Sequence, residues 1–414
     1  MTATFKSCIR WISQTPLWFR GAMVLGFALR LYFCLFTDGT YDVEIWRGHA
    51  ERIDELGLIR YYHETPLANH PPFVSELFSW VLIACKHTGI PFRVLLRMPF
   101  VLIDAGTCAL LLLVLAGHPR RLLLASAYWL HPLAILFSSY HGNTDSAVAF
   151  FVLLSGWLLS EEKTIAGAMA IGVGLWIKLP VVLAVPALLL LVDGWRGKLR
   201  FLSVAGATAV SSYLPALASD PRIVLANVFG YHGQLIQNSA GVPAWGWYRV
   251  LTPFIASADW LADPGRLVDF LVGQGHRIVI GLIVLLVWQR RALRSLPEVC
   301  ATIASGYALV YGLTEYWSFQ YFAWSVPFWC FMPSWFFIGA TTLAGGYIYS
   351  LYGYLCGNPW LLGPWDFVGR PSWPAIVIVL RDLSVGFFFV SACWFLIRPV
   401  VGRQRFRSND RKST

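Results

Sequence analysis

Apolar runs long enough to cross a bilayer alternate along this chain with short polar breaks, and that alternation predicts a bundle of membrane helices. With ~20 apolar residues needed per span, candidate helices fall near 17–36, 94–116, 122–138, 145–160, 163–179, 180–193, 199–217, 276–288, 298–314, 321–338, 339–356 and 382–398. That is about 12 spans, several of them short or abutting. The run 17–36 follows a basic N-terminus, is long enough to span, and has no small-residue cleavage site before the next charged loop, so a retained first helix is expected. The stretch 73–85 is different. It is short, carries Glu76, and has the length of an interfacial or re-entrant segment.

Charge decides how that stretch is read. If 73–85 does not span, the clusters Lys6/Arg10, Arg120/Arg121, Arg196/Lys198/Arg200, Arg290/Arg291/Arg294 and the tail from Arg403 to Lys412 all fall on one side, the cytoplasmic one. The opposite face then receives two long loops, 38–93 with amphipathic helices and 218–275, while 399–414 forms a basic cytoplasmic tail. Composition supports the membrane class: 57% hydrophobic against 13% charged residues leaves too little polar surface to cover a soluble fold. The net charge of +10 sits in short loop clusters, as in cytoplasmic membrane loops, and does not point to nucleic acid. Many of the 20 Trp, 17 Tyr and 28 Phe lie near run ends, as an interfacial belt requires. The eight cysteines lie singly with no CxxC or His spacing, so free buried thiols are expected. No repeat, low-complexity segment or nucleotide-binding signature appears, and 1–414 is expected to form a single transmembrane domain.

Candidate chemistry gathers at the non-cytoplasmic ends of the helices. Directly after the first helix, Tyr41-Asp42-Val43-Glu44-Ile45-Trp46-Arg47 packs two acids and a base at the interface. A carboxylate there can take a proton from a hydroxyl. Asp42 and Glu44 are the catalytic candidates, and Asp38 is the competing carboxylate. Asn69-His70-Pro71-Pro72 fixes an extended turn that can hold His70 rigidly. Tyr140-His141-Gly142-Asn143-Thr144-Asp145 offers groups able to hydrogen-bond sugar hydroxyls or phosphate, although Asn143 or Thr144 could equally cap the next helix. Lys178 interrupts an apolar run, where an ammonium at mid-helix costs ~3 kcal/mol. It could bind phosphate or snorkel to the headgroups. Further along, Tyr231 to Arg249 and Glu315 to Trp324 add aromatics, with Arg249, Gln320 and Tyr321 as polar candidates.

In this order the segments resemble the GT-C superfamily of membrane glycosyltransferases. Asp42-Val43-Glu44 and Arg47 followed by His70-Pro71-Pro72 looks like the first loop of the lumenal glucosyltransferases of N-glycan assembly. Asp104 within 97–115, Trp129-Leu130-His131-Pro132 and Lys178 are similar to further segments of that branch. Ser318-Phe319-Gln320-Tyr321-Phe322-Ala323-Trp324 is more similar to a late motif of the mannosyltransferase that adds the first mannose to GPI anchors. The resemblance covers roughly residues 20–330. It implies a GT-C-like helical bundle and inverting transfer of a hexose, mannose ahead of glucose, from a polyprenyl- or dolichyl-phosphate donor to a lipid-linked or glycan acceptor. Asp42 takes the place of the family's catalytic base, while Arg47, His70, His141, Lys178 and Arg249 are the cations available to the leaving phosphate. The glucosyltransferases' His-Glu-Lys pattern is absent from the late loop, which counts against glucose as the sugar and leaves the phosphate-binding residue open; the first loop has Asp42-x-Glu44 in place of the Asp-x-Asp of many mannosyltransferases, so no metal is expected, and no other cofactor is implied. A transporter or flippase for a lipid-linked sugar is the rival reading. It would place polar, broken-helix elements in matched halves near the midplane, and here Asp104 is the clear mid-helix charge. The sequence holds no Asn-x-Ser/Thr sequon, which favours a bacterial plasma membrane over an endoplasmic reticulum membrane.

Overall fold

Prolines set many of the helix starts. Pro16 precedes Leu17–Phe36 (α1), Pro71 and Pro72 open Pro72–Thr88 (α4), and Pro91 precedes Phe92–Val114 (α5). At these positions a proline sacrifices no intrahelical hydrogen bond and presets φ for the first turn. The computed structural model describes residues 15–66, 68–230, 245–246, 264–314, 318–366 and 373–398, and no strand occurs among them.

Between α1 and α5 the segment 38–93 folds into Tyr41–Leu56 (α2), Leu58–Glu64 (α3) and α4. Val43, Trp46 and Ala50 of α2 recur at helical spacing and pack on Val74, Phe78 and Leu82 of α4 and on Phe92, Leu96 and Phe100 of α5. The stretch 73–85 is therefore part of a helix packed within the segment. It is not among the spanning candidates.

Downstream lie Arg121–Trp129 (α6), Pro132–Ile135 (α7), Asp145–Ser160 (α8), Thr164–Ile177 (α9), Val185–Leu188 (α10), Gly194–Ser219 (α11), Pro221–Val224 (α12), Pro264–Gln289 (α13), Leu296–Leu313 (α14), Ser334–Cys356 (α15) and Ala375–Ile397 (α16). Among the described residues five helices, α1, α5, α11, α14 and α16, are long and apolar enough to cross a membrane, and the bent pair α6–α7 makes a sixth. The chain is thus helical and polytopic. Four predicted spans take a different form. The run 122–138 is bent by 46°, because Pro132 denies the helix an N–H, and α7 then widens into a π-helical turn, Leu136–His141. The run 180–193 is 3₁₀ on both sides of α10, around Pro180 and Pro186. The two abutting spans expected at 321–338 and 339–356 are instead two 3₁₀ turns, Phe319–Trp324 and Val326–Phe331, followed by α15. Pro327 and Pro333 explain the difference: an apolar run does not itself distinguish a continuous helix from one interrupted by residues lacking an N–H.

The mid-helix charge Asp104 is neutralised inside the bundle. Arg30 of α1 reaches it at 2.7 Å, and Tyr128 and Ser138 donate to it at 2.7 and 2.9 Å. The same guanidinium donates to the Trp129 carbonyl at 2.7 Å and lies 3.9 Å from the Trp129 ring centroid. Gly26 makes room for that ring, since a Cβ there would sit 2.3 Å from the indole nitrogen. These contacts join α1, α5, α6 and the π-helical turn. The seven cysteines within the described residues are all free, and Cys34, Cys108, Cys300 and Cys330 are buried.

Candidate active site

Two glycines and one arginine bring the first loop onto the π-helical turn. Arg97 of α5 is fully buried and has no carboxylate within ion-pair distance among the described residues. It donates instead to the carbonyls of Thr37 at 2.7 Å and Phe33 at 3.1 Å, at the C-terminal end of α1, and to those of Ser139 and Tyr140 at 3.4 Å each. Backbone carbonyls at a helix C-terminus carry partial negative charge and suit a cation. Gly39 has φ +89° and Gly142 has φ +66°, both in the left-handed region. A Cβ on Gly142 would lie 2.4 Å from Arg97 Cγ, and one on Gly39 would lie 2.8 Å from the Tyr140 carbonyl.

This junction places Asp42, in the first turn of α2, against His141. His141 Nε2 lies 2.8 Å from Asp42 Oδ2, and the Asn143 amide donates to the same oxygen at 3.3 Å. The other oxygen, Oδ1, has no hydrogen-bond partner among the described residues. Burial by itself would raise the Asp42 pKa, but the hydrogen bond from His141 and the nearby Lys178 charge hold it below its ordinary value. Asp42 is therefore an ionised carboxylate with one oxygen held and one open, and its side chain is 32% exposed. The other face of His141 is closed: Nδ1 lies 2.6 Å from the Tyr352 hydroxyl of α15, and the imidazole is buried.

Beside this cluster lies a buried ion pair. Asp145 opens α8, and Lys178 follows α9 in extended conformation, where the approach to Pro180 ends the helix. The Lys178 ammonium is 2.6 Å from Asp145 Oδ2, and the Trp324 indole donates to Oδ1. Tyr321 and Trp324 stack at 4.2 Å, and Lys178 lies 5.7 Å from the Tyr321 ring. Lys178 is thus drawn into the protein and not out to the headgroups. Asn143 and Thr144 do not cap α8 through their side chains: Asn143 reaches Asp42 and accepts from Thr144 at 3.0 Å.

Not every residue singled out from the sequence arrives here. Glu44 is two positions from Asp42, about 200° around the helix, and is exposed on the opposite side of α2. Together with Arg47, Glu51, Lys86, Arg93 and Asp38 it lines a separate cleft of about 460 Å³. Arg47 pairs there with Glu51 at 3.0 Å, and Asp38 lies 3.7 Å from Arg93. The two catalytic candidates Asp42 and Glu44 therefore face different sides of α2. His70 packs against Trp46 at 4.2 Å, and its pKa is pushed well below 6.5 by burial and by the Lys178 charge, so it is neutral at pH 7 and no cation for a phosphate. Gln320 is buried and accepts from Ser318 at 2.6 Å. Trp245 is a core residue that donates to the Tyr311 carbonyl at 2.9 Å, while Arg249, most of the loop 218–275 and the tail 399–414 lie outside the described residues. Among the described residues no three His, Cys, Asp or Glu side chains converge as metal ligands would.

No family model matches the sequence. The chain is 30% identical over 152 residues to GPI mannosyltransferase 1 of Eremothecium gossypii, covering 36% of this chain and 35% of that protein. It is 26% identical over 129 residues to GPI mannosyltransferase 1 of Kluyveromyces lactis, covering 30% and 29% respectively. The likeness is to a mannosyltransferase. The chain spans about a third of the length of these curated relatives. Neither comes from a bacterium, so the comparisons lend the bacterial plasma membrane no support.

Sequence reasoning missed Tyr352, Trp365 and the partner of Trp324. Tyr352 is one of several tyrosines in an apolar run and carries no mark of its own, and Trp365, which packs on Tyr352 at 4.9 Å and donates to the Tyr140 hydroxyl at 2.8 Å, lies in a loop that carries no motif. Trp324 ends the late aromatic motif, yet its bond to Asp145 spans 179 positions. Such separations leave no local signal.

Proposed function

We propose that the protein is an inverting glycosyltransferase that moves mannose from a polyprenyl- or dolichyl-phosphate donor to a lipid-linked or glycan acceptor. The observation that carries this reading is the Asp42 carboxylate, ionised, oriented by two donors on one oxygen and open on the other. An acceptor hydroxyl at Oδ1 gives its proton to Asp42 as its oxygen attacks the anomeric carbon. The bond from that carbon to the phosphate oxygen breaks, and the electron pair leaves with the lipid phosphate. Negative charge grows on the phosphate in the transition state, so a preorganised cation is most valuable there. Lys178 fills that role. It is close enough to bias Asp42 electrostatically and is held in place by Asp145. The stacked Tyr321 and Trp324 rings offer an apolar face to a sugar ring or to the first isoprene unit.

Mannose is favoured because both relatives carry it in their names. The shorter apolar segments, including α8, α9 and 179–191, would complete a bundle of about 12 spans. The basic clusters at the ends of α5 and α13 and at the start of α11 would then put the active site on the non-cytoplasmic face. The whole chain would work as one transferase domain. The transporter reading loses its main support, because Asp104 is committed to Arg30, Tyr128 and Ser138.

The test is direct. Purified protein is given a polyprenyl-phosphate mannose and an acceptor pool, and free polyprenyl phosphate is measured. Release that depends on acceptor supports the transferase. In sealed vesicles, movement of the intact lipid-linked sugar without release would instead establish a transporter.

A further inference from the structure

The Tyr352 hydroxyl makes a single hydrogen bond among the described residues, to His141 Nδ1 at 2.6 Å, and Tyr352 itself is fully buried. Its ring is held by Tyr140 at 5.6 Å and Trp365 at 4.9 Å, so the hydroxyl cannot swing to another partner. A phenol carries one proton, and a buried hydroxyl must place it on an acceptor. Nδ1 is the acceptor at hand. If Nδ1 accepts, the imidazole proton is on Nε2, directed at Asp42 Oδ2 2.8 Å away. Both nitrogens and the hydroxyl are then satisfied. An imidazolium would instead turn Nδ1 into a donor and strand the phenolic proton in a dry site, a cost of about 1–3 kcal/mol.

We propose that Tyr352 is a positioning residue that holds His141 in the tautomer donating from Nε2 to Asp42, and so keeps the open Asp42 oxygen available as the base. This rests on the transferase reading and deepens it. His141 stands between an anion that attracts a second proton and a hydroxyl that opposes one. Among the described residues the ionisable groups facing it are Asp42 from α2, Tyr352 from α15 and Tyr140 from its own turn, whose hydroxyl is occupied by Trp365 and Cys356. Beside them Lys178, paired with Asp145, acts on Asp42. Without the Tyr352 hydroxyl, Nδ1 is free to take a proton. His141 then forms a full ion pair with Asp42 as the pH falls, and the carboxylate becomes a weaker base.

The experiment compares the wild type, Tyr352→Phe, His141→Gln, the double variant and Asp42→Asn in detergent, with transfer followed as a function of pH. Tyr352→Phe keeps the ring packing. It is expected to lower kcat about tenfold, the loss of one hydrogen bond, and to move the acidic limb of the kcat profile to higher pH. In the His141→Gln background the same substitution should cost nothing further. Superimposable pH profiles, or an undiminished loss in that background, would overturn the positioning role while an inactive Asp42→Asn left the transferase reading intact. An active Asp42→Asn would overturn both. Should Tyr352→Phe not be recovered folded, ¹⁵N spectra of histidine-labelled wild type decide the matter, with His141→Gln assigning the signal. A proton on Nε2 supports the proposal, and one on Nδ1 contradicts it.

Discussion

At the scale of single residues, the site depends on which groups are charged and which are not. Burial and the Lys178 charge together keep the His70 imidazole neutral, so among the described residues Lys178 is the strong cation beside Asp42. That has a consequence for stability. A histidine whose folded pKa lies below 6.5 binds a proton more readily when the chain unfolds, so its contribution is present above pH 6.5 and is lost as pH falls. The Asp42 contribution behaves similarly, but only below about 3.8, its ordinary value. Between pH 7 and 5 the His70 effect is therefore separable. The apparent Tm of His70→Gln should fall less over that interval than that of the wild type, and equal slopes would show that His70 is not held neutral by its surroundings.

At the scale of elements, the junction of α1, α2, α5 and the π-helical turn is what makes the site. Gly142→Ala tests it. An L-residue in the left-handed region costs about 1–2 kcal/mol, and the added Cβ would displace either Arg97 or the turn that carries His141. The expected result is a folded protein with transfer reduced at least tenfold, the size of one lost hydrogen bond; unchanged transfer would show that the turn tolerates the shift. A second test concerns the buried ion pair below the site. Asp104→Ala leaves Arg30 uncompensated and should destabilise by ~3–5 kcal/mol, whereas Arg30→Met combined with Asp104→Leu should recover most of that loss. Thermal melts of the three proteins are sufficient. If instead the double variant remained folded but lost transfer altogether, Asp104 would have a functional role that its contacts do not reveal. The long apolar spans were legible in the sequence, because they follow from local apolar length. The 3₁₀ segments around Pro180, Pro327 and Pro333 were not, since an apolar run has the same composition whether or not the helix within it is broken.

At the scale of the whole molecule, the Asp42–His141, Asp145–Lys178 and His141–Tyr352 contacts meet where the C-terminal ends of α1, α9 and α15 face the N-terminal ends of α2 and α8. The sequence marked Asp42, His141, Asn143, Asp145 and Lys178 as polar groups among apolar ones. It did not reveal that His141 is a partner of the carboxylate and not a free cation, or that Glu44 turns away, because contacts between residues 99 and 211 positions apart are set by packing and not by spacing. Tyr352, inside an apolar helix, left no trace at all. The central claim is that the open oxygen of Asp42 accepts the acceptor's proton. The most direct measurement is transfer from polyprenyl-phosphate mannose by purified Asp42→Asn with an unaltered melting profile. A loss of about 10²–10⁴-fold is predicted, the range for removal of a general base, and transfer near the wild-type rate would contradict the account.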